Sequence, residues 1–364
     1  MAYLNEISAD TLVTPWAQRT THEGLVAMLA IGLCLLLGVL TGHNAAGAIA
    51  AGGAFTAGFA VFHPALGSRI LSMMVATLTI CSAAFLGSLS AEWTPAVLVV
   101  VALAGLNYGL LSAFGASAGW IGQQAAVYLV VATYFPNGPR LAAGRATMVL
   151  TGGILQIGIH LLFRLRDTTQ YSTPLWKATL ARTQAYVRSL PEHMAWGSST
   201  LSYSSRQLVT IVVATALYRE LHLRNGYWIP MTALLCLKQQ WTGTISRSLA
   251  RVVGTISGVT ISFVLAHTWH HWPLPLLGVM VMLAAMTSYS LQAVNYAIFS
   301  MAITLYIVFL FRFGGFSEYT AAHLRLMNTV IGGALALTID GLWLATARIY
   351  DRLTAKPPAT GGPA

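Results

Sequence analysis

Residues 225–255 open with Asn225-Gly226-Tyr227-Trp228-Ile229-Pro230-Met231-Thr232. After an apolar stretch they close with Ser246-Arg247-Ser248-Leu249-Ala250-Arg251-Val252-Val253-Gly254-Thr255. A weaker copy of that closing block stands 178 positions earlier, as Ser68-Arg69-Ile70-Leu71-Ser72-Met73-Met74-Val75-Ala76-Thr77. The arginines recur in a chain where charge is otherwise scarce. The reading is one membrane module written twice, with cations kept inside it, and anionic solutes need such groups to cross a bilayer.

Composition agrees on the class. Charged residues are 8% of the chain and hydrophobic ones 56%, where a soluble domain carries roughly 25% charge. Soluble helices need a polar face, whereas spanning helices satisfy their own backbone hydrogen bonds and are apolar around most of their circumference. Period-two alternation is poor, which argues against a β-barrel. The first strong run, near Leu25, follows Glu6, Asp10, Arg19 and Glu23 and precedes no small-residue cleavage site, so it reads as a retained helix.

The expected fold class is an all-α polytopic membrane protein with about twelve transmembrane helices in two parallel six-helix repeats. The first six spans are Leu25–Leu40, Ala45–Phe62, Ile70–Ser88, Pro95–Leu111, Ile121–Tyr134 and Ala146–Phe163. The second six are Leu208–Tyr218, Tyr227–Leu237, Val252–Ala266, Leu274–Ser288, Ala293–Phe311 and Leu326–Ala347. The seventh is short and is expected to extend back past Arg206, whose side chain would snorkel to the interface. The organisation is then a cytoplasmic segment 1–23, repeat one over 24–166, a linker over 167–205, repeat two over 206–347 and a disordered tail 348–364. Leu175, Trp176, Leu180, Tyr186, Val187 and Leu190 share a face of the linker, with Lys177, Arg182 and Arg188 elsewhere. That suits either a helix on the inner membrane surface or one packed on the bundle.

Two further matches extend the repeat. Residues 142–153, containing Arg145 and Gly152-Gly153, align at offset 180 with 322–333, containing Arg325 and Gly332-Gly333. In that register His160 faces Asp340. Gln124–Tyr128 likewise matches Gln292–Tyr296. Six spans per repeat point both halves the same way, as in parallel-repeat transporters. With the amino terminus inside, fourteen of the twenty Lys and Arg residues fall on the cytoplasmic side. Both termini are therefore expected in the cytoplasm, and the excess charge of +10 is assigned to the lipid face and not to nucleic acid.

The string Asn225 to Thr232, Ser246-Arg247, Arg251 to Gly258, Asn295-Tyr296-Ala297 and Arg325 to Gly332 resembles the signature of the fusaric acid resistance protein family. The first half keeps Ser68-Arg69 and Arg145 but shows Ala45-Ala46-Gly47 where the Tyr-Trp pair would stand. The resemblance implies an inner-membrane exporter of small organic, mainly aromatic, carboxylates. Plant aluminium-activated malate channels are similar in their six-span module. Many relatives carry large cytoplasmic domains after each six-span set, and this chain resembles a membrane-only version.

Read on their own, Arg69, Lys238, Arg247 and Arg251 form a cationic group at the inner ends of the spans, with Arg145 and Arg325 at the outer ends. They serve either an anion pathway or headgroup anchoring. Tyr227, Trp228, Asn295 and Tyr296 are candidates for an aromatic and amide wall, Trp228 alternatively for an interfacial belt. Asp340 and His160 are candidates for proton coupling; Asp340 alternatively pairs with Arg348. Gly254 and Gly258 read as close helix packing. Cys34, Cys81 and Cys236 read as free thiols. No cofactor, catalytic site or metal site is expected, His267, His270 and His271 included. The expected partners are a small organic anion and the lipid bilayer, with a homo-oligomer or a periplasmic accessory protein left open. A passive anion channel and a non-transporting scaffold subunit stand as alternatives.

Overall fold

A computed structural model describes residues 10–65, 68–135, 138–164, 175–268, 272–316 and 318–354. The expectations for the tail beyond 354, for His270 and His271, and for residues 165–174 of the linker lie outside the described residues.

The helices of the first half are α1 (Thr21–Leu40), α2 (Asn44–Phe59, extended by a 3-10 turn over Ala60–Phe62), α3 (Arg69–Ser90), α4 (Thr94–Ala113), α5 (Ala116–Ala132) and α6 (Pro139–Arg164). Helix α7 (Leu175–His193) follows. The second half holds α8 (Ser199–Glu220), α9 (Trp228–Cys236), α10 (Trp241–Thr268), α11 (Leu274–Leu291), α12 (Tyr296–Phe313) and α13 (Glu318–Thr354). Among the described residues, nine helices are long and apolar enough to cross a membrane: α1 to α4, α6 and α10 to α13. Their starts are written locally. Ser68, Ser198 and Asn295 cap α3, α8 and α12 by accepting the backbone N–H three residues on, at 3.0–3.1 Å. Leu78, Leu103, Leu162 and Leu342 point outward, each at least 59% exposed. Such apolar surface belongs against lipid tails.

The eighth expected span is corrected. Helix α9 has 9 residues, about 14 Å of helix against a hydrocarbon core of about 30 Å. Residues 237–240 then run on as non-helical backbone before α10 begins at Trp241. Leu237 is extended, with φ −66° and ψ 124°. Lys238-Gln239-Gln240 are polar, so an apolar run of only eleven residues ends there. The snorkelling of Arg206 is also corrected. Helix α8 does extend past it, but Arg206 turns inward and is buried.

Helix α6 packs on α1, α2 and α3, and α5 on α3 and α4. In the second half α13 packs on α8, α9 and α10, and α12 on α10 and α11. Across the halves α4 lies against α8, and α1 against α11. Glycines permit the closest crossings. A Cβ on Gly152 would collide with the Ala50 carbonyl of α2, and one on Gly332 would stand 2.6 Å from the Ile229 carbonyl of α9. Gly254 likewise abuts the Ala297 carbonyl of α12.

Gly152→Val should therefore lower the melting temperature in detergent by several degrees, since overpacking costs about 1–3 kcal/mol. Gly144→Ala, with no atom within 4 Å of its would-be Cβ, should not lower it and should raise it slightly through helix propensity. Equal melting of wild type and Gly152→Val would deny the α2–α6 contact.

Candidate functional site

The motif Asn225-Gly226-Tyr227-Trp228 builds a tight turn that sinks two aromatic rings into the second half. Asn225 takes the left-handed conformation, φ 51°, which asparagine tolerates better than most residues. Gly226 lies against Tyr218, where any Cβ would stand 2.5 Å from that residue's Cβ and 2.7 Å from its ring. Asn328 of α13 closes the turn by donating from Nδ2 to the carbonyls of Arg224 and Asn225, at 3.3 and 3.0 Å. Tyr227 and Trp228 are consequently buried, 1% and 5% exposed. The interfacial-belt reading of Trp228 is thereby corrected.

Arg325 lies over the Trp228 ring, 4.4 Å from its centroid. It is 1% exposed. Its Nε donates to Thr304 Oγ1 of α12 at 3.2 Å, while Nη1 and Nη2 have no hydrogen-bond partner. The groups acting on it electrostatically are Arg251, Tyr227 and Tyr296, none of them a carboxylate. Arg251, on α10, is 2% exposed. Its Nη1 donates to the Tyr296 hydroxyl at 3.2 Å, and its Nε is unpartnered. Arg247, one turn back towards the start of α10, stacks on the Tyr296 ring at 3.9 Å. Lys238 senses Arg247 in turn. It lines a cavity of about 390 Å³ with Tyr108, Ser112, Tyr203, Gln239, Gln240 and Gly243. Lys238, Arg247, Arg251 and Arg325 thus make a graded series from an open cavity to a dry interior. A buried guanidinium with two free N–H edges has the charge and geometry that suit a carboxylate.

The other candidates fall elsewhere. Arg69 pairs with Glu23 of α1 at 3.6 Å. Arg145 donates to Ser88 Oγ at 3.2 Å and covers the Phe135 ring at 4.4 Å. Asn295 spends its amide on the carbonyls of Thr11 and Val13, both at 3.0 Å, while its side-chain oxygen caps α12. His160 is buried in α6, with Glu23 and His22 the charged or titratable groups acting on it. His63, in the turn after α2, is pushed down to about 4 by burial and stays neutral at physiological pH. Cys34, Cys81 and Cys236 are free thiols.

Asp340 does not pair with Arg348. It is fully buried and forms an ion pair with Arg206 of α8. Its second oxygen accepts from Thr244 Oγ1 at 2.7 Å. The Arg206 Nη2 donates to the Gln239 carbonyl at 3.0 Å. Gln207 Nε2 donates to the Leu237 carbonyl at 3.2 Å. Together these groups tie the non-helical stretch 237–240 to α8 and α13, satisfying backbone that a bilayer would leave bare. Sequence reasoning missed Arg206, Gln207, Thr244 and Thr304 as site residues. The adjacent Arg206-Gln207 immediately ahead of the apolar run from Leu208 was the available signal.

The architecture defines a polytopic helical membrane protein with cations buried in its interior. Residues 211–339, from within α8 to within α13, match the model of the family described as fusaric acid resistance protein-like. The matched stretch includes Tyr227, Trp228, Lys238, Arg247, Arg251, Tyr296 and Arg325. The chain is 26% identical over 164 residues to inner membrane protein YccS of Escherichia coli, covering 44% of this chain and 21% of YccS. An uncharacterized Haemophilus influenzae protein is 25% identical over 152 residues, 42% of this chain and 21% of that one. A Neisseria gonorrhoeae protein, ORF2, is 25% identical over 148 residues, 40% of this chain and 35% of that one. The match thus spans only 21% to 35% of these relatives' length. No solved structure matches the chain.

Proposed function

We propose that this protein moves small organic carboxylates, aromatic ones in particular, out across the bacterial inner membrane. The observation that carries the reading is Arg325, buried against Trp228 with both terminal nitrogens unpartnered. A buried cation left in that state is costly unless an anion visits it. Tyr227 and Trp228, with centroids 4.8 Å apart and planes tilted by 34°, supply an aromatic wall for a ring, and Arg251 a second point of attachment. The inner-membrane location draws on the description of YccS. The cytoplasmic placement of both termini draws on the positive-inside bias.

Two parallel repeats account for the helix pairing. The contacts of α6 with α1, α2 and α3 have counterparts in those of α13 with α8, α9 and α10. On that reading the halves are unequal in use. The position matching Arg251 holds Met73, buried in an apolar cluster. The route runs through the second half, and Arg69 and Arg145 support the first.

Proton coupling is assigned to Asp340, with His160 in the matching place. Protonating Asp340 would release Arg206 and slacken stretch 237–240 beside the Lys238 cavity. The test is tracer flux of 4-hydroxybenzoate in proteoliposomes. Wild type should accumulate it under a pH gradient. Asp340→Asn, which keeps an oxygen for Arg206, should lose accumulation yet pass substrate downhill. If Asp340→Asn still concentrates substrate, Asp340 is not the coupling group. If wild-type flux follows only the anion's electrochemical potential, the protein is a channel.

A further inference from the structure

The first cation that leads inward from the Lys238 cavity already holds a carboxylate, and it belongs to this chain. Asp10 Oδ2 lies 3.4 Å from Arg247 Nε. The Asp10 backbone N–H donates to Ser246 Oγ at 3.2 Å. Residues 11–13 are held by Asn295, whose Nδ2 reaches the carbonyls of Thr11 and Val13. Thr20 then ties the strap to α11 through its N–H on the Ser290 carbonyl at 3.0 Å and its hydroxyl on the Tyr289 carbonyl at 2.7 Å.

The strap is lightly seated. Leu12, Val13 and Trp16 are 73%, 56% and 52% exposed, so little apolar surface holds it down. The Asp10 and Arg247 side chains are 29% and 28% exposed. A partly exposed pair of this kind exchanges readily with a competing anion. Arg247 also stands on the face of α10 that leads to Arg251, four residues deeper. Asp10 thus occupies the more exposed of the two arginines on this stretch of α10.

We propose that the segment from Asp10 to Thr20 is an autoinhibitory strap. Its Asp10 carboxylate is an internal mimic of the transported carboxylate, and substrate enters by displacing it from Arg247. This rests on the carboxylate reading of the same site. It adds that the resting protein is self-occupied, so that affinity is set partly by the strap.

The test uses the full chain in detergent, with benzoate as probe and binding read by calorimetry. If Asp10 sits on Arg247 about nine-tenths of the time, Asp10→Asn should tighten benzoate binding about tenfold. Asp10→Glu, which restores a carboxylate, should bind as wild type does. Labelling by phenylglyoxal, with Arg247 located by mass spectrometry, should be several-fold faster in Asp10→Asn. Equal benzoate affinity in wild type and Asp10→Asn would overturn the strap and leave the carboxylate reading intact. Unchanged Arg247 labelling would overturn it too. Benzoate that binds none of the three proteins would overturn both.

Discussion

Arg325→Met is expected to weaken carboxylate binding at least about thirtyfold while leaving the ligand-free protein at least as stable as wild type. The two effects share one cause. Arg325 is buried with Nη1 and Nη2 unpartnered, and an isolated buried cation carries a penalty of several kcal/mol. Its stacking on Trp228 and its bond to Thr304 return roughly 2–4 kcal/mol of that. Methionine fills similar volume, keeps the contact with the Trp228 ring and has nothing to desolvate. Binding loses a charge-assisted, desolvated contact of about 2–5 kcal/mol, a thirtyfold weakening or more. Adding 4-hydroxybenzoate should raise the melting temperature of wild type and leave that of Arg325→Met unmoved. A variant that is both less stable and still stabilised by ligand would assign Arg325 to structure alone.

Arg206→Ala is expected to have the largest effect on stability. It leaves the Asp340 carboxylate in the interior with Thr244 as its remaining contact. Breaking a buried pair by removing one member costs about 3–5 kcal/mol. It also frees the Gln239 carbonyl, which Arg206 Nη2 now satisfies. Melting in detergent should fall by many degrees, with stretch 237–240 the first to open in hydrogen exchange. The double variant Arg206→Met/Asp340→Leu removes both charges and should recover most of the loss. A single variant as stable as wild type would mean that water reaches Asp340.

The helices were legible in the sequence because a spanning helix needs only length and apolarity, and runs such as Leu25–Leu40 carry both. What the sequence hid was partnership at long range. Asp340 has a basic residue eight positions on, Arg348, but its partner is Arg206, 134 residues back in the chain. Nothing local in either sequence segment marks that pairing. The run Tyr227–Leu237 read as a span because composition does not report where the backbone stops being helical. Its shortness and the Lys238-Gln239-Gln240 that ends it were the physical warning. Of the candidate site, Tyr227, Trp228, Tyr296, Arg251 and Arg325 do converge. Their type in an apolar setting was readable, and their depth was not. Arg325 opens the last long helix, at a place suited to a headgroup anchor. The turn closed by Asn328 and the close approach at Gly332 set it instead against Trp228. Asp10 gave no signal, since it is one of three acids ahead of the first apolar run, with Glu6 and Glu23.

The most direct measurement is the initial rate of 4-hydroxybenzoate flux through proteoliposomes at about pH 8, where the membrane-permeant neutral acid is scarce. Wild type and Arg325→Met would be compared at equal amounts of folded protein. The interior-cation account predicts saturable flux in wild type and a rate indistinguishable from protein-free vesicles in Arg325→Met. Saturable flux of wild-type magnitude through Arg325→Met would contradict it.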